Sequence, residues 1–288
     1  MTRFDDRDGF IWMDGALVPW RDANVHILSH ALHYGSSVFE GERAYNGRIF
    51  KGVEHSARLI RSAQLLDMAL PFSVAEIEAA KYAVLAANGW SDAYLRAVAF
   101  RGAGEEMGVS SQSNPIRLAV AGWEWGAYYG AAQDQGARLD IASWKRPSPE
   151  TIPTAAKAAG LYMICTMSKQ AAQAKGYSDA LLLDWRGHIA EASSANVFFV
   201  KGDEVHTPLP DAILNGITRQ TVIEMLQAEG IRVHERHIDP AEMEGFEQCF
   251  LTGTAAEITP VSEIGPYRFE IGALTRRVVA GYARLVRA

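Results

Sequence analysis

Apolar and polar positions along the chain fall into short blocks with recognisable periods. Two apolar runs, F-I-W-M from Phe10 and A-L-V-P-W ending at Trp20, flank Asp14-Gly15. Asp-Gly between such runs signals a tight hairpin, because both turn residues need positive φ. The arrangement returns in S-V-F-E-G-E-R-A-Y, then Asn46-Gly47, then R-I-F, and predicts a second hairpin. Helical spacing follows over Val53 to Met68 and over Val74 to Asn88, where Ser73 and Glu76 form a capping box and Gly89 a stop. Ala93 to Phe100 and Ile116 to Gly122 read as strands, so the first half is α+β. Periodicity fails over Trp123 to Gly136, which reads as a linker whose aromatic residues line a cleft between domains. Alternation resumes at Arg138. Strands are predicted near Ala180 to Leu183, Asn196 to Val200, Ile231 to Val233 and Gln248 to Leu251, with a turn at Lys201-Gly202-Asp203. Helices are predicted over Ile217 to Glu229 and Ala273 to Val286. The expected organisation is an N-terminal domain over 1–126, a linker over 127–136 and a C-terminal domain over 137–288.

Composition narrows the class. A chain of 288 residues with 48% hydrophobic and 22% charged residues is an ordinary globular protein of about two domains. A net charge of −6, without long runs of one sign, gives no electrostatic case for nucleic acid or an anionic membrane. Cys165 and Cys249 lack C-x-x-C spacing and are expected to pack as reduced apolar residues. The acidic, polar N-terminus lacks the apolar centre of a signal peptide, and no segment reaches the roughly 20 apolar residues that span a bilayer, so a cytoplasmic location is expected. There is no internal repeat.

Chemistry concentrates in T-I-P-T-A-A-K-A-A-G-L-Y, residues 151–162, where Lys157 sits among small uncharged neighbours. A solvated surface lysine is the plain reading, yet this one belongs to no polar helix face. An ammonium placed in apolar surroundings loses hydration, its pKa falls, and the neutral amine can condense with a carbonyl. The segment Leu214 to Arg219, L-N-G-I-T-R, opens a helix whose free N–H groups and dipole suit a phosphate, with Thr218 adding a hydroxyl; the plain alternative is Asn215 as a helix cap. T-G-T-A-A at 252–256 is a second turn able to offer N–H groups to an anion, or simply a turn. Glu191, in H-I-A-E-A-S-S-A-N, is a carboxylate among small residues that needs a cation or protonated nitrogen beside it. Arg58 reads by default as a surface partner of Glu54 at i,i+4. His26, His30 and His33 at i, i+4 and i+7 would suit a zinc site on a helix, but no H-E-x-x-H follows and the stretch runs into Tyr34-Gly35 and a strand. Gly102 to Gly108 is a poor dinucleotide loop, with its last glycine displaced, glutamates within it and no helix after it.

A desolvated lysine, a phosphate site, an anion-binding turn and an isolated glutamate together point to pyridoxal 5′-phosphate, which needs an amine, phosphate donors and an acid at its pyridine nitrogen. The chain resembles the branched-chain amino-acid aminotransferases of the fold-type IV (class IV) pyridoxal-phosphate family. The resemblance rests on S-H-A-L-H-Y-G-S-S-V-F-E-G-E-R at 29–43, A-Y-L-R at 93–96, M-G-V at 107–109 and W-G-A-Y at 125–128. It rests equally on the lysine segment, N-G-I-T-R at 215–219 and T-G-T-A-A-E-I-T-P at 252–260. It implies a smaller N-terminal α+β domain and a larger cofactor-binding domain with a mixed sheet. It implies that Lys157 forms the Schiff base and acts as general base and acid, that Glu191 pairs with the ring nitrogen, and that Tyr162 meets the phenolic oxygen. Arg58, Ile217, Thr218 and Thr254 would hold the phosphate, which displaces the surface reading of Arg58.

For the substrate, the resemblance implies Tyr94 and the turn Thr254, Ala255 and Ala256 at the α-carboxylate. Arg96 with Tyr34 and Tyr128 would meet the γ-carboxylate of glutamate, and Phe39, Tyr162 and aromatic walls the aliphatic group. Arg43 and Val109 are further pocket candidates. Tyr34 and the Met107 to Val109 loop would reach a neighbouring subunit, making a homo-oligomer, at least a dimer, with a hexamer as the alternative. No metal is expected. Three positions depart from the family pattern: Glu42, placed beside Arg43 where it would partly neutralise it, Asn215, and Ser193-Ser194-Ala195. The implied reaction is transamination between L-leucine, L-isoleucine or L-valine and 2-oxoglutarate. Rivals with the same cofactor are a D-amino-acid or R-selective amine aminotransferase and an aminodeoxychorismate lyase. From other classes, a zinc hydrolase built on the three histidines and a non-catalytic binding module are the alternatives.

Overall fold

Asp14 at φ 48° and Gly15 at φ 107° turn the chain between β1 (Phe10–Met13) and β2 (Ala16–Pro19), as the sequence predicts. The computed structural model describes residues 3–125 and 135–288. These form two compact units, 3–125 with Ala156–Gly160 and 135–155 with Leu161–Ala288. The domain that carries the first hairpin therefore also holds a short segment from far along the chain.

In the first unit the second expected hairpin is divided into β3 (Ser37–Phe39), β4 (Glu42–Tyr45) and β5 (Arg48–Ile49), with Asn46 and Gly47 at φ 50° and 78° in the turn. Both β3 and β4 pair antiparallel with β6 (Ala93–Arg101), leaving Glu40-Gly41 between them. A Cβ at Gly41 would collide with the Tyr94 hydroxyl, so only glycine lets that ring lie against the backbone there. With β7 (Ile116–Trp123) the sheet runs β2-β1-β7-β6-β4-β5. Helix α2 (Gly52–Gln64) stops short of Met68, where Asp67 takes φ 51°, whereas α3 (Val74–Asn88) has the predicted ends, capping box and left-handed Gly89. Leu59 and Ala63 of α2, Ile77 and Val84 of α3, and Leu95, Leu118 and Val120 of the sheet are fully buried. A five-residue helix α1 (His30–Tyr34) precedes β3.

Glu42 does not neutralise Arg43. Adjacent strand residues point to opposite faces, so Glu42 is buried against α3, where Lys81 Nζ donates to it at 2.5 Å and to Glu78 at 2.7 Å. Arg43 instead lies over the Tyr45 ring on its own face, 5.0 Å from the centroid. Burial raises the Glu42 pKa from 4.5 to about 8, opposed by Lys81 and reinforced by Glu40 and Glu78. An acid with a raised folded pKa contributes stability fully below its unfolded pKa and loses it as pH rises through the folded one. Wild-type stability is thus expected to fall as pH rises from about 5 to about 8 on this account. Glu42→Gln keeps the Lys81–Glu78 pair and should gain on wild type across that window in denaturant titrations. Parallel pH–stability curves would contradict it.

The second unit contains β8 (Ala137–Arg146), β9 (Asp179–Asp184), β10 (Ile189–Ala192), β11 (Asn196–Lys201), β12 (Glu204–Pro208), β13 (Arg232–Arg236), β14 (Gln248–Gly253), β15 (Glu257–Ile264) and β16 (Tyr267–Arg268). They form one sheet in the order β10-β9-β8-β15-β14-β11-β12-β13, with β16 on β15. The additional pairing of β10 with β11 closes the first part of that path into a ring. The sheet is mixed, with β8/β9, β8/β15 and β12/β13 parallel. Leu139, Leu181, Val197, Phe199, Leu251 and Val261 fill its core without exposure.

Among the described residues this unit also contains the helices α4 (Tyr162–Ala174), α5 (Ile217–Ala228) and α6 (Ala273–Leu285). The sequence does not predict α4, whose buried positions are Cys165, Ser168 and Ala172. Their spacing is helical, but small and polar side chains there leave almost no apolar stripe to read. Of the expected linker, β7 claims Trp123, and 126–134, with Tyr128, lie outside the described residues. Cys165 and Cys249 are free and buried. Among the described residues no helix is long and apolar enough to cross a membrane.

Candidate active site

Lys157 is fastened through its backbone on both sides. Its N–H donates to Ser62 Oγ on α2 at 3.0 Å, its carbonyl accepts from Phe39 N on β3 at 3.1 Å, and Ala158 bridges to Val38. The small residues around it thus let a bare segment lie against a strand and a helix. The side chain is half-buried, and its Nζ sits 4.8 Å from the Phe39 ring centroid. Desolvation, then the nearby positive charge of Arg58, lowers its pKa from 10.5 to about 8. Cofactor-free protein should therefore show Lys157 labelling by an aldehyde that rises with pH around a midpoint near 8, measured by peptide mass spectrometry. A midpoint at the ordinary lysine value would contradict this.

Arg58 is not a surface partner of Glu54. It is buried, and its Nε and Nη2 donate to Glu40 at 2.6 and 2.8 Å. Glu40, fully buried, also accepts from His55 Nδ1 at 2.7 Å. Burial would raise the Glu40 pKa, but Arg58 and His55 more than offset it and hold the carboxyl well below the usual range. Burial likewise lowers the pKa of His55. An ionised Glu40 can only accept, so the neutral imidazole carries its proton on Nδ1.

Tyr94 and Arg96 share one face of β6, and Arg96 Nη2 donates to the Tyr94 hydroxyl at 2.9 Å. Arg96 also lies over the Phe39 ring, 4.6 Å from its centroid. Trp123 and Trp125 each pack on the Tyr94 ring at 5.1 Å. Lys157, Arg58, Phe39, Tyr94 and Arg96 are therefore gathered in the first unit by β3, β6 and α2. Tyr34 stands apart, exposed and donating to Met107 O at 3.0 Å, and Val109 is 80% exposed.

The second unit brings together another set. Glu191 on β10 is buried, with Arg146 Nε 3.3 Å from Oε1 and Asn196 Nδ2 donating to Oε2 at 3.3 Å. The sequence shows no cation near Glu191, because Arg146 is remote along the chain and comes from the end of β8. Asn196 also donates to Leu214 O at 3.0 Å and so links β11 to the approach to α5. The N-cap of α5 is Gly216, not Asn215, whose Oδ1 accepts from Arg219 instead. A Cβ at Gly216 would run into Asn196 Oδ1, and with no side chain there the first-turn N–H groups have no side-chain cap. Ile217 and Thr218 are the buried first residues of that helix. Thr254, Ala255 and Ala256 form the turn between β14 and β15. Nearby on β14, Thr252 pairs with Asn196 across the sheet, and its buried hydroxyl has no hydrogen-bond partner among the described residues. Tyr162 is half-buried at the start of α4.

The three histidines do not converge on a metal. His26 Nδ1 accepts from Leu28 N, His33 bonds Ile27 O, and His30 bonds Ser36 Oγ and Gly108 O. Only His30 and His33 are helical, since α1 begins at His30. Two other groups, Asp184/His188/His237 and Glu204/His206/His234, have ligand-type atoms close together. Arginines already serve them: Arg186 Nη2 bridges Asp184 and Asp211 at 2.7 and 2.8 Å, and Arg236 Nε donates to His206 Nδ1 at 3.2 Å.

A family model described as amino-transferase class IV matches residues 37–264. A probable branched-chain-amino-acid aminotransferase of Rickettsia conorii is 40% identical over 291 residues, covering 100% of this chain and 99% of that one. Among solved structures, the T.th. branched-chain amino acid aminotransferase complexed with N-(5′-phosphopyridoxyl)-L-glutamate superposes with TM-score 0.92 at 38% identity, covering 98% of this chain and 95% of that one. The same enzyme complexed with 4-methylvaleric acid gives TM-score 0.91 at 38% identity, covering 98% and 96%.

Proposed function

Because the chain belongs to the class IV aminotransferases, we propose that it exchanges the amino group between branched-chain L-amino acids and 2-oxoglutarate, using pyridoxal 5′-phosphate held by Lys157. The observation that carries the reading is a lysine amine of lowered pKa on a backbone pinned from both sides. The residues present fit the cofactor. Glu191 offers a carboxylate steadied by Arg146 and Asn196, Gly216 leaves a helix start uncapped, and Thr252 keeps a buried hydroxyl without a partner among the described residues. When bound, pyridoxal phosphate supplies an electron sink for the substrate α-carbon and an atom that carries the amino group between half-reactions.

The chain's own residues do the rest. Lys157 Nζ would hold the cofactor at its aldehyde carbon and, once released, would take the proton from the substrate α-carbon and deliver it to that former aldehyde carbon, as a base whose pKa of about 8 lies close to neutral pH. Glu191 would keep a proton on the ring nitrogen, and Tyr162 would hydrogen-bond the phenolic oxygen. Arg58, the first-turn groups of Ile217 and Thr218, and Thr254 bind the phosphate. Tyr94 and the turn N–H groups of Thr254, Ala255 and Ala256 orient the α-carboxylate. Arg96 supplies a fork for the γ-carboxylate of glutamate, while the Phe39 ring beneath it suits an aliphatic side chain. Support for this dual pocket comes from the T.th. enzyme, whose complexes contain a glutamate adduct and the branched acid 4-methylvaleric acid.

Exposed Ile27, Leu28, Leu32 and Val109, together with Tyr34, form apolar surface suited to a second copy of the chain. Light scattering should give at least a dimer. The substrate reading is tested by half-reaction spectra. L-leucine and L-glutamate should convert the cofactor rapidly, and D-alanine and an R-amine should not. Rapid conversion by D-alanine alone would replace this reading with the D-amino-acid one.

A further inference from the structure

Glu40 occupies the break between β3 and β4 with no exposed surface, a placement that costs a carboxylate its hydration and needs charged or hydrogen-bonding partners to offset it. Its Oε1 accepts from Arg58 Nε at 2.6 Å, and its Oε2 accepts from Arg58 Nη2 at 2.8 Å and from His55 Nδ1 at 2.7 Å. A guanidinium is planar and rigid, so taking two of its N–H groups in a fork fixes the direction of the others. We propose that Glu40 is a positioning residue for phosphate recognition, setting which edge of Arg58 meets the cofactor phosphate, with His55 holding the carboxylate in place. The inference rests on the aminotransferase reading of Arg58 given above.

The arrangement also balances charge around the amine. Arg58 lowers the pKa of Lys157 and Glu40 raises it. Removal of the Glu40 charge would leave the guanidinium uncompensated beside Lys157. A pair that served only as scaffold would be indifferent to whether a bound pyridoxal carried a phosphate. That difference gives the test.

Cofactor-free protein prepared from the holoenzyme is titrated with pyridoxal 5′-phosphate and, separately, with pyridoxal, and capture is followed by absorbance. Glu40→Gln should reduce the preference for the phosphorylated form at least about tenfold, as expected when a buried charged pair loses its geometry, whereas any change in the Lys157 amine acts on capture of both ligands alike and drops out of their ratio. Arg58→Ala should lose the same preference, and adding Glu40→Gln to it should cost nothing further. Equal weakening toward both ligands in Glu40→Gln would reduce Glu40 to scaffold and overturn the proposal. So would an intact preference in Glu40→Gln when Arg58→Ala has lost it. If Arg58→Ala itself keeps the preference, the phosphate reading of Arg58 fails and this inference falls with it. His55→Asn, which keeps a donor near Nδ1, and His55→Leu, which has none, provide the readout should Glu40→Gln not fold. The first should retain the preference and the second lose part of it, and full retention in His55→Leu would overturn the proposal.

Discussion

Lys157→Ala is expected to abolish measurable transamination, with turnover falling by about four orders of magnitude, the upper end of what one positioned acid–base group contributes. The variant should fold normally. The polar contacts that hold the segment are made by the backbone, to Ser62 Oγ and Phe39 N, and the substitution removes only a side chain that burial already disfavours in its charged form. Loss of activity at unchanged thermal stability, with loss of the visible-edge absorbance of purified protein, separates a chemical role from a structural one. Retention of both activity and colour would mean that another amine does the work.

Glu191→Gln is expected to lower turnover by roughly two to three orders of magnitude. An amide cannot hold a proton on a pyridine nitrogen, so the ring withdraws fewer electrons. The side chain keeps its size and its contact with Asn196, but the guanidinium of Arg146 loses its charged neighbour. Arg146 still donates to Leu161 O at 3.3 Å, which limits the damage to stability. Adding Arg146→Met removes the uncompensated charge and should recover stability without recovering activity. Recovery of both would show that Glu191 acts only as a partner for Arg146.

The fold is legible in the sequence where a local rule has one outcome. The Asp14-Gly15 and Asn46-Gly47 turns and the Ser73 capping box specify their own geometry and form as predicted. Legibility fails where tertiary contacts decide. Nothing local shows that β3 and β4 part at Glu40-Gly41, or that Gly41 lies against the Tyr94 ring of a strand far along the chain. Helix α4 buries cysteine, serine and alanine, so its apolar stripe is too faint to see. At the site, Lys157 stands out because it alone lacks polar company along the chain. Nearby Glu40 and its partner His55 are hidden inside a motif that reads as strand and helix, and Arg146 comes from a remote strand end. Glu42 beside Arg43 misleads for the opposite reason, since sequence neighbours on a strand face apart.

The central claim is covalent, and one measurement addresses it directly. Holoenzyme is reduced with borohydride, digested, and its peptides are weighed. The mass of a phosphopyridoxyl group on Lys157, in the peptide containing T-A-A-K-A-A-G, is the predicted result. The same group on another lysine, or no adduct on any peptide from protein with full activity, would contradict the account.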